Sequence, residues 1–80
     1  MSIASMDYNR EFDGSGMSCP GPVMAVQKVL AEMSSGHVLR VVATDPGSMD
    51  DMATLVEQSG NALLQQTVEN GRFVFYLRKA

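Results

Sequence analysis

The feature of this 80-residue chain that most restricts its fold is the pair Asn70-Gly71, which separates two strand-forming segments. Residues 62–69 (ALLQQTVE) and 72–78 (RFVFYLR) are rich in β-branched, aromatic and other apolar side chains. A type I′ turn needs two consecutive residues that accept positive φ, and Asn-Gly meets this requirement. The chain is therefore predicted to close with an antiparallel β-hairpin.

Two segments with helical periodicity precede the hairpin. The first begins at Pro20 or Pro22 and ends at Ser34-Ser35-Gly36, where Gly36 suits a left-handed position after the helix. The second is capped by Ser48 or Asp45 and ends at Gly60-Asn61. The apolar residues that form the two stripes are Val23, Val26, Leu30 and Met33, and then Met49, Met52, Leu55 and Val56.

Two further strands complete the predicted pattern. In residues 7–12, side chains alternate between two faces, which indicates a short strand, and residues 13–18 form a turn. Residues 37–44 are rich in apolar and β-branched side chains, which indicates a largely buried strand. The order β-α-β-α-β-β predicts an α/β two-layer sandwich, a four-stranded mixed sheet with both helices on one face. The other face is solvated or covered by a partner, and the strand order stays open. We expect a flexible N-terminus over residues 1–7 and one domain over 8–80.

Composition narrows the class of protein. With 45% hydrophobic and 19% charged residues, the chain is globular rather than disordered. Its net charge of −3 argues against a protein that binds nucleic acid directly, since that needs a basic face. No secretory signal and no apolar run of about 20 residues is visible. One cysteine excludes an internal disulfide. We expect a cytoplasmic protein with no membrane contact, as a monomer or weak dimer.

The single cysteine lies where the first helix is predicted to start, in the stretch MSCPGPVM. Pro20 suits the first helical position. The backbone N–H at that position has no acceptor within the helix, so proline, which has no N–H, loses nothing there. Cys19 then stands at or near the N-cap, where the helix dipole lowers a thiol pKa by less than about one unit. We expect the amides of Gly21 and Val23 to face the sulfur. Pro22, like Pro20, shapes the start of the helix.

Other interpretations of this stretch stay open. A lone cysteine is often a small buried apolar side chain, and Met17 and Met24 either contact its sulfur or belong to the core. One cysteine and one histidine are too few ligands for a structural zinc ion, so no metal and no cofactor is expected. His37 follows a helix about 20 Å long that begins at Cys19, which makes a Cys–His pair improbable and His37 a strand-edge residue.

The turn before the cysteine and the basic residues of the strands offer candidate contacts for a partner. Asp13 either caps the turn or shapes a partner site with Gly16 and Met17. The basic side chains lie either on a solvated sheet face or in a docking patch; these are Arg40, Arg78 and Lys79.

The chain resembles the TusA/SirA-like sulfur carriers over nearly its whole length. Cys19-Pro20-Gly21-Pro22 matches the CPxP motif of that family, and a short strand precedes an Asp-x-x-Gly-x-x-Cys segment that begins at Asp13. Thr44-Asp45-Pro46 follows the next strand, and Leu77-Arg78-Lys79 ends the hairpin. The sequence departs from the family pattern in having no basic residue in the turn before the cysteine, and in having glycine at position 21.

The resemblance implies the same sandwich and a persulfide carried on Cys19. Sulfur would arrive from a cysteine desulfurase or another sulfurtransferase. It would pass to a downstream acceptor protein in tRNA thiolation, cofactor assembly or sulfur oxidation. The predicted function is thus a sulfur carrier that acts with partner enzymes rather than alone. One alternative is a regulatory or adaptor module that binds a protein through the open sheet face, and a second is a thiol redox sensor.

Overall fold

Six regular elements follow one another in the predicted order β-α-β-α-β-β. The computed structural model describes residues 7–18 and 21–80. The elements are β1 (Arg10–Gly14), α1 (Gly21–Ala31), β2 (Val38–Ala43), α2 (Ser48–Ser59), β3 (Ala62–Glu69) and β4 (Arg72–Arg78). Within the described ranges, no helix is long and apolar enough to span a membrane.

The strands form one mixed sheet in the order β1-β2-β4-β3, which the sequence pattern had left open. β1 pairs with β2 in parallel, while β2 and β3 both run antiparallel to β4. The hairpin turn has positive φ at both Asn70 (51°) and Gly71 (77°), as a type I′ turn requires. Because β1 and β2 are parallel, the starts of α1 and α2 lie at one edge of the sheet, here called the helix-start edge.

The main core lies between the two helices and one face of the sheet, so the predicted fold class is confirmed. Both predicted helix stripes point into it, with Val23, Met49 and Val56 only partly buried at its margin. Met24 is the exception among the helix methionines, since 64% of it is exposed. The buried residues of this core are Val26, Leu30, Met33, Leu39, Val41, Ala43, Met52, Leu55, Phe75 and Leu77.

The opposite face of the sheet carries its own small apolar cluster. Val42, Val74 and Tyr76 alternate along β2 and β4 with residues of the main core, as the two-residue period of a strand dictates. They are only 4%, 2% and 4% exposed, although both helices pack on the other face. This cluster is therefore not an open apolar surface.

Arg40 lies at the margin of that cluster. Its Nε donates to the hydroxyl oxygen of Tyr76 at 3.1 Å, and its guanidinium forms an ion pair with Glu11. The same guanidinium lies 6.0 Å from the ring centroids of both Tyr8 and Tyr76, a distance at which cation–π attraction acts. Arg40 thus belongs to an internal network. Lys79 is also engaged, because its Nζ donates to the Leu30 carbonyl at 2.8 Å.

Three predicted boundaries differ from the structure. The first strand runs over Arg10–Gly14 instead of residues 7–12, and Gly14 is a paired, buried strand residue instead of part of the turn. The prediction failed because glycine commonly breaks strands, whereas here it permits close packing. Neither Ser48 nor Asp45 is the N-cap of α2: Gly47 holds that position without a side-chain bond. Asp45 instead accepts from the Gly47 amide at 2.8 Å in a local turn.

The end of α2 agrees with the sequence, whereas α1 ends earlier than the predicted stop at Ser34-Ser35-Gly36. α2 ends at Gly60, which has φ 79° and donates to the Val56 carbonyl. α1 ends at Ala31, and the turn that follows contains Gly36 with φ 85°. His37 immediately precedes β2 and is exposed, in accord with the predicted strand edge. The left-handed conformation, which glycine adopts without a Cβ penalty, explains glycine at the end of α2 and in the turn before β2.

Candidate functional site

The segment that contains the cysteine joins the end of β1 to the start of α1, at the helix-start edge. Cys19 and Pro20 lie outside the described residues, so their predicted N-cap and first-helical positions stay predictions. The described surroundings are residues 13–18 before them, residues 21–24 after them, and the β2–α2 connection over 44–47. Residues 15–18 are all exposed, which leaves this segment accessible to another protein.

Pro22 anchors the site to the core. Its side chain is fully buried, with less than 2% of it exposed. It lies against Gly14 at the end of β1, where an added β-carbon would be 3.5 Å from the Cβ of Pro22. The second proline of the motif therefore acts as a buried fixing point. It holds the start of α1 against the last residue of β1.

The turn before the cysteine is held by hydrogen bonds from its own backbone amides. The Ser15 amide donates to the Asp13 carboxylate at 3.0 Å, and the Met17 amide donates to the Gly14 carbonyl at 3.1 Å. Hydrogen bonds from the side chain and then the backbone of Ser15 lower the pKa of the Asp13 carboxyl below its ordinary value of 3.8. The Asp13 carboxylate thus holds this turn in the structure, and its part in a partner site stays a prediction.

The Gly21 amide has a backbone acceptor in the structure. It donates to the carbonyl oxygen of Ser18 at 2.9 Å, bridging the two described residues that flank Cys19 and Pro20 in the chain. The expected role of Gly21 beside the sulfur stays a prediction. The corresponding role of the Val23 amide stays a prediction.

A side chain from the next loop reaches the same turn. The Gly16 amide donates to the hydroxyl oxygen of Thr44 at 2.8 Å, joining residues 28 positions apart. Thr44 directly follows Ala43, which is fully buried at the end of β2. In the sequence, Thr44 is marked only by its place in the Thr44-Asp45-Pro46 motif. The contact could have been expected from a parallel pairing of β1 and β2, because parallel neighbouring strands place the loops after their carboxyl ends side by side.

Methionine side chains lie before and after the cysteine. Met17 is 37% exposed, and its methyl group lies 3.4 Å from the position that a β-carbon on Gly21 would occupy. Met24, in the first turn of α1, is 64% exposed. Neither belongs to the core. Flexible, polarisable side chains of this kind suit surfaces that adapt to several partners.

The one histidine is remote from this site. His37 precedes β2, so it lies at the sheet edge opposite the helix-start edge, and its carbonyl accepts from the Lys79 amide at 2.9 Å. Over residues 7–18 and 21–80, no group of three or more His, Cys, Asp or Glu side chains is placed to hold a metal ion. The described site thus offers an exposed, anchored loop and no acid–base pair.

Comparison with known proteins identifies the family. The family model described as Sulfurtransferase TusA matches residues 10–79. The chain belongs to the TusA family.

Individual TusA relatives match over almost their full lengths. The sulfur carrier protein TusA of Allochromatium vinosum is 45% identical over 74 residues, which cover 92% of this chain and 97% of that protein. The sulfur carrier protein TusA of Pseudomonas entomophila is 36% identical over 77 residues, with 96% of both chains covered. These matches span the described site segments as well as the core.

A solved structure shows the same fold. The crystal structure of a SirA-like protein from Desulfitobacterium hafniense matches with a TM-score of 0.80 and 25% sequence identity. The match covers 88% of this chain and 96% of the other. The resemblance expected from the CPxP motif is therefore confirmed at the level of family and of fold.

Proposed function

We propose that this TusA-family protein is a sulfur carrier that holds sulfur as a persulfide on Cys19. The observation that carries the proposal is the placement of the CPxP segment. Residues 15–18, which precede it, are exposed, its second proline Pro22 is buried in the core, and the exposed methionines Met17 and Met24 lie before and after it. Membership of the TusA family supports the same role.

The proposed chemistry is two thiol exchanges that balance without an external oxidant. In the first, the Cys19 thiolate attacks the outer sulfur of a donor persulfide, forming an S–S bond and releasing the donor thiolate. In the second, an acceptor thiolate attacks the outer sulfur now on Cys19, and the Cys19 thiolate leaves. Each step moves one sulfur atom and breaks one S–S bond for each one formed.

A carrier of this kind needs little machinery of its own. The donor and acceptor proteins can supply the acids, bases and binding pockets, so the carrier has only to present its sulfur. This agrees with a described site that contains no histidine and no paired carboxylates. Pro20 and Pro22 are proposed to shape the chain around Cys19, and the Val23 amide to support its anionic sulfur through the helix dipole.

Two partners follow from the proposed reaction. A cysteine desulfurase or another sulfurtransferase would load Cys19, and a downstream protein would accept the sulfur in tRNA thiolation, cofactor assembly or sulfur oxidation. Gly16 and Met17 are the proposed partner contacts in the turn. Asp13 already binds the Ser15 amide, so its part is to shape the turn.

The adaptor alternative has less support from the structure. An adaptor that binds through the free sheet face needs accessible apolar side chains there, but Val42, Val74 and Tyr76 are almost fully buried. Arg40, which the docking hypothesis requires to be available, is held by Tyr76 and Glu11. The redox-sensor alternative uses the same thiol and is separated from the carrier by its chemical product.

Transfer of labelled sulfur tests the proposal. The protein is incubated with a cysteine desulfurase and sulfur-labelled cysteine, freed of donor, and then mixed with a thiol-bearing acceptor. The wild type should carry label to the acceptor, Ser18→Ala should do so as well, and Cys19→Ser should carry none. Equal transfer by Cys19→Ser and the wild type would refute the carrier role.

A further inference from the structure

We propose that Thr44 is a positioning residue for the sulfur exchange at Cys19. The inference rests on the proposed carrier function and assigns a role to a residue outside the CPxP motif. Its starting point is the 2.8 Å hydrogen bond from the Gly16 amide to the Thr44 hydroxyl oxygen.

Thr44 is a rigid support. It follows Ala43, which is fully buried and pairs with Gly14 of β1 on one side and Phe73 of β4 on the other. Thr44 is the first residue after β2, so its position is set by this strand end, which is held by strands on both sides. The hydroxyl of Thr44 therefore offers the cysteine loop a contact point in the body of the sheet.

The loop needs such a contact because its other described hydrogen bonds are local. The Ser15 amide binds Asp13, the Met17 amide binds the Gly14 carbonyl, and the Gly21 amide binds the Ser18 carbonyl. Asp13 and Gly14 belong to β1, so the first two bonds hold only the start of the loop, where it leaves that strand. The bond to Thr44 joins the loop to a different part of the chain and so fixes where the loop lies relative to the sheet.

Positioning matters for a carrier because both exchange steps require in-line approach of a thiolate to sulfur. A displacement of about 1 Å in the reacting atoms can cost on the order of a hundredfold in rate. Cys19 follows Gly16 by three positions, so a loop released from Thr44 would present the thiol in a range of orientations. The amide of Gly16 would exchange its bond for one to water, because this loop is exposed. The fold would therefore persist while the site loosened.

The test measures the reactivity of Cys19 with iodoacetamide as a function of pH. Thr44→Val keeps the side-chain shape and removes the hydroxyl, whereas Thr44→Ser keeps the hydroxyl. Thr67→Val, on β3, is the matched control. We expect Thr44→Val to slow alkylation at neutral pH about fivefold, the order of effect of one lost hydrogen bond. The pH midpoint should rise toward the ordinary thiol value of about 8.5.

Thr44→Ser and Thr67→Val should both react like the wild type, and all variants should unfold at similar temperatures. Thr44→Ala provides the same comparison with a smaller side chain if valine unfolds the protein. Wild-type reactivity in a Thr44 variant without the hydroxyl, or an equal loss in Thr67→Val, would overturn the inference. Sulfur loading of the wild type is measured separately, so failure of the carrier function would not be mistaken for failure of the Thr44 contact.

Discussion

The buried ring of Pro22 lies against the α-carbon of Gly14, and the two residues join the start of α1 to the end of β1. A β-carbon on Gly14 would lie 3.5 Å from the Cβ of Pro22 and 3.1 Å from the carbonyl oxygen of Val42. The contact brackets the loop that carries Cys19. It explains physically why a buried proline three positions after the cysteine is useful: residues 15–18 are exposed, but the start of α1 is fixed in the core.

Gly14→Ala should lower the free energy of unfolding by about 1–3 kcal/mol, the usual cost of forcing an extra carbon into a packed site. The added methyl would meet the Val42 carbonyl, a backbone atom that cannot rotate away. Gly21→Ala is the control, because among the described residues its methyl would meet the flexible end of Met17 at 3.4 Å and nothing nearer. Chemical denaturation measures the free energy of unfolding of both variants. Equal stability of Gly14→Ala and Gly21→Ala would contradict the packing described.

Pro22→Ala should lower the free energy of unfolding by about 1–3 kcal/mol, since it removes buried ring atoms and loosens the unfolded chain. Urea unfolding followed by circular dichroism measures the change. Met24→Ala, two residues further along α1, is the exposed comparison and should stay within about 0.5 kcal/mol of the wild type. A Pro22 variant as stable as the Met24 variant would show that the ring is not an anchor.

The Asp13 carboxyl should make the stability of the fold depend on pH in the acidic range. Its pKa is lower in the folded protein than the ordinary 3.8, because Ser15 donates to the carboxylate. The group therefore stabilises the fold above the unfolded-state pKa, and this contribution is lost as the pH falls through the folded-state pKa. Asp13→Asn should lose less stability than the wild type between about pH 5 and pH 2. Urea midpoints across this range measure the difference.

Ser15→Ala provides a graded version of the same experiment. It removes the hydroxyl that lowers the pKa most and keeps the amide that donates to Asp13 at 3.0 Å. Its acid dependence should fall between those of the wild type and Asp13→Asn. Identical profiles for all three proteins would show that this carboxylate makes no such contribution.

The network around Arg40 predicts a difference between two tyrosines. Tyr76→Phe removes the acceptor of the Arg40 Nε bond on a residue that is 4% exposed. It should cost about 0.5–1.5 kcal/mol of unfolding free energy. Tyr8→Phe keeps its ring beside Arg40 and is 47% exposed, so it should cost almost nothing. Thermal unfolding of both variants measures the two effects. Equal losses of stability in Tyr76→Phe and Tyr8→Phe would contradict an internal role for Arg40.

Much of the fold could be predicted from local sequence because the signals were local. Asn70-Gly71 fixed the hairpin turn, and the two apolar stripes predicted which helix faces are buried. The failures came where tertiary packing decided the outcome. Gly14 is a strand residue whose added β-carbon would lie 3.0 Å from the Phe12 ring and 3.1 Å from the Val42 carbonyl, whereas single-sequence reasoning treats glycine as a turn signal.

The site could be predicted only in part for the same reason. The CPxP motif pointed to the segment, and the cap by Asp13 was within reach because Ser15 is two residues away. The engagement of the Gly21 amide depends on how the chain turns between positions 18 and 21. The bond between Gly16 and Thr44 spans 28 positions and depends on the register of β1 with β2. Neither is encoded in helix or strand periodicity.

The most direct test of a Cys19 persulfide is the intact mass of the protein under non-reducing conditions. Wild type and Cys19→Ser are each incubated with a cysteine desulfurase and cysteine, and separately with thiosulfate and a sulfurtransferase. We predict that the wild type gains the mass of one sulfur atom from at least one donor, that reductant removes it, and that Cys19→Ser gains none. A wild type that gains no sulfur from either donor, although alkylation shows Cys19 to be accessible, would contradict the carrier function.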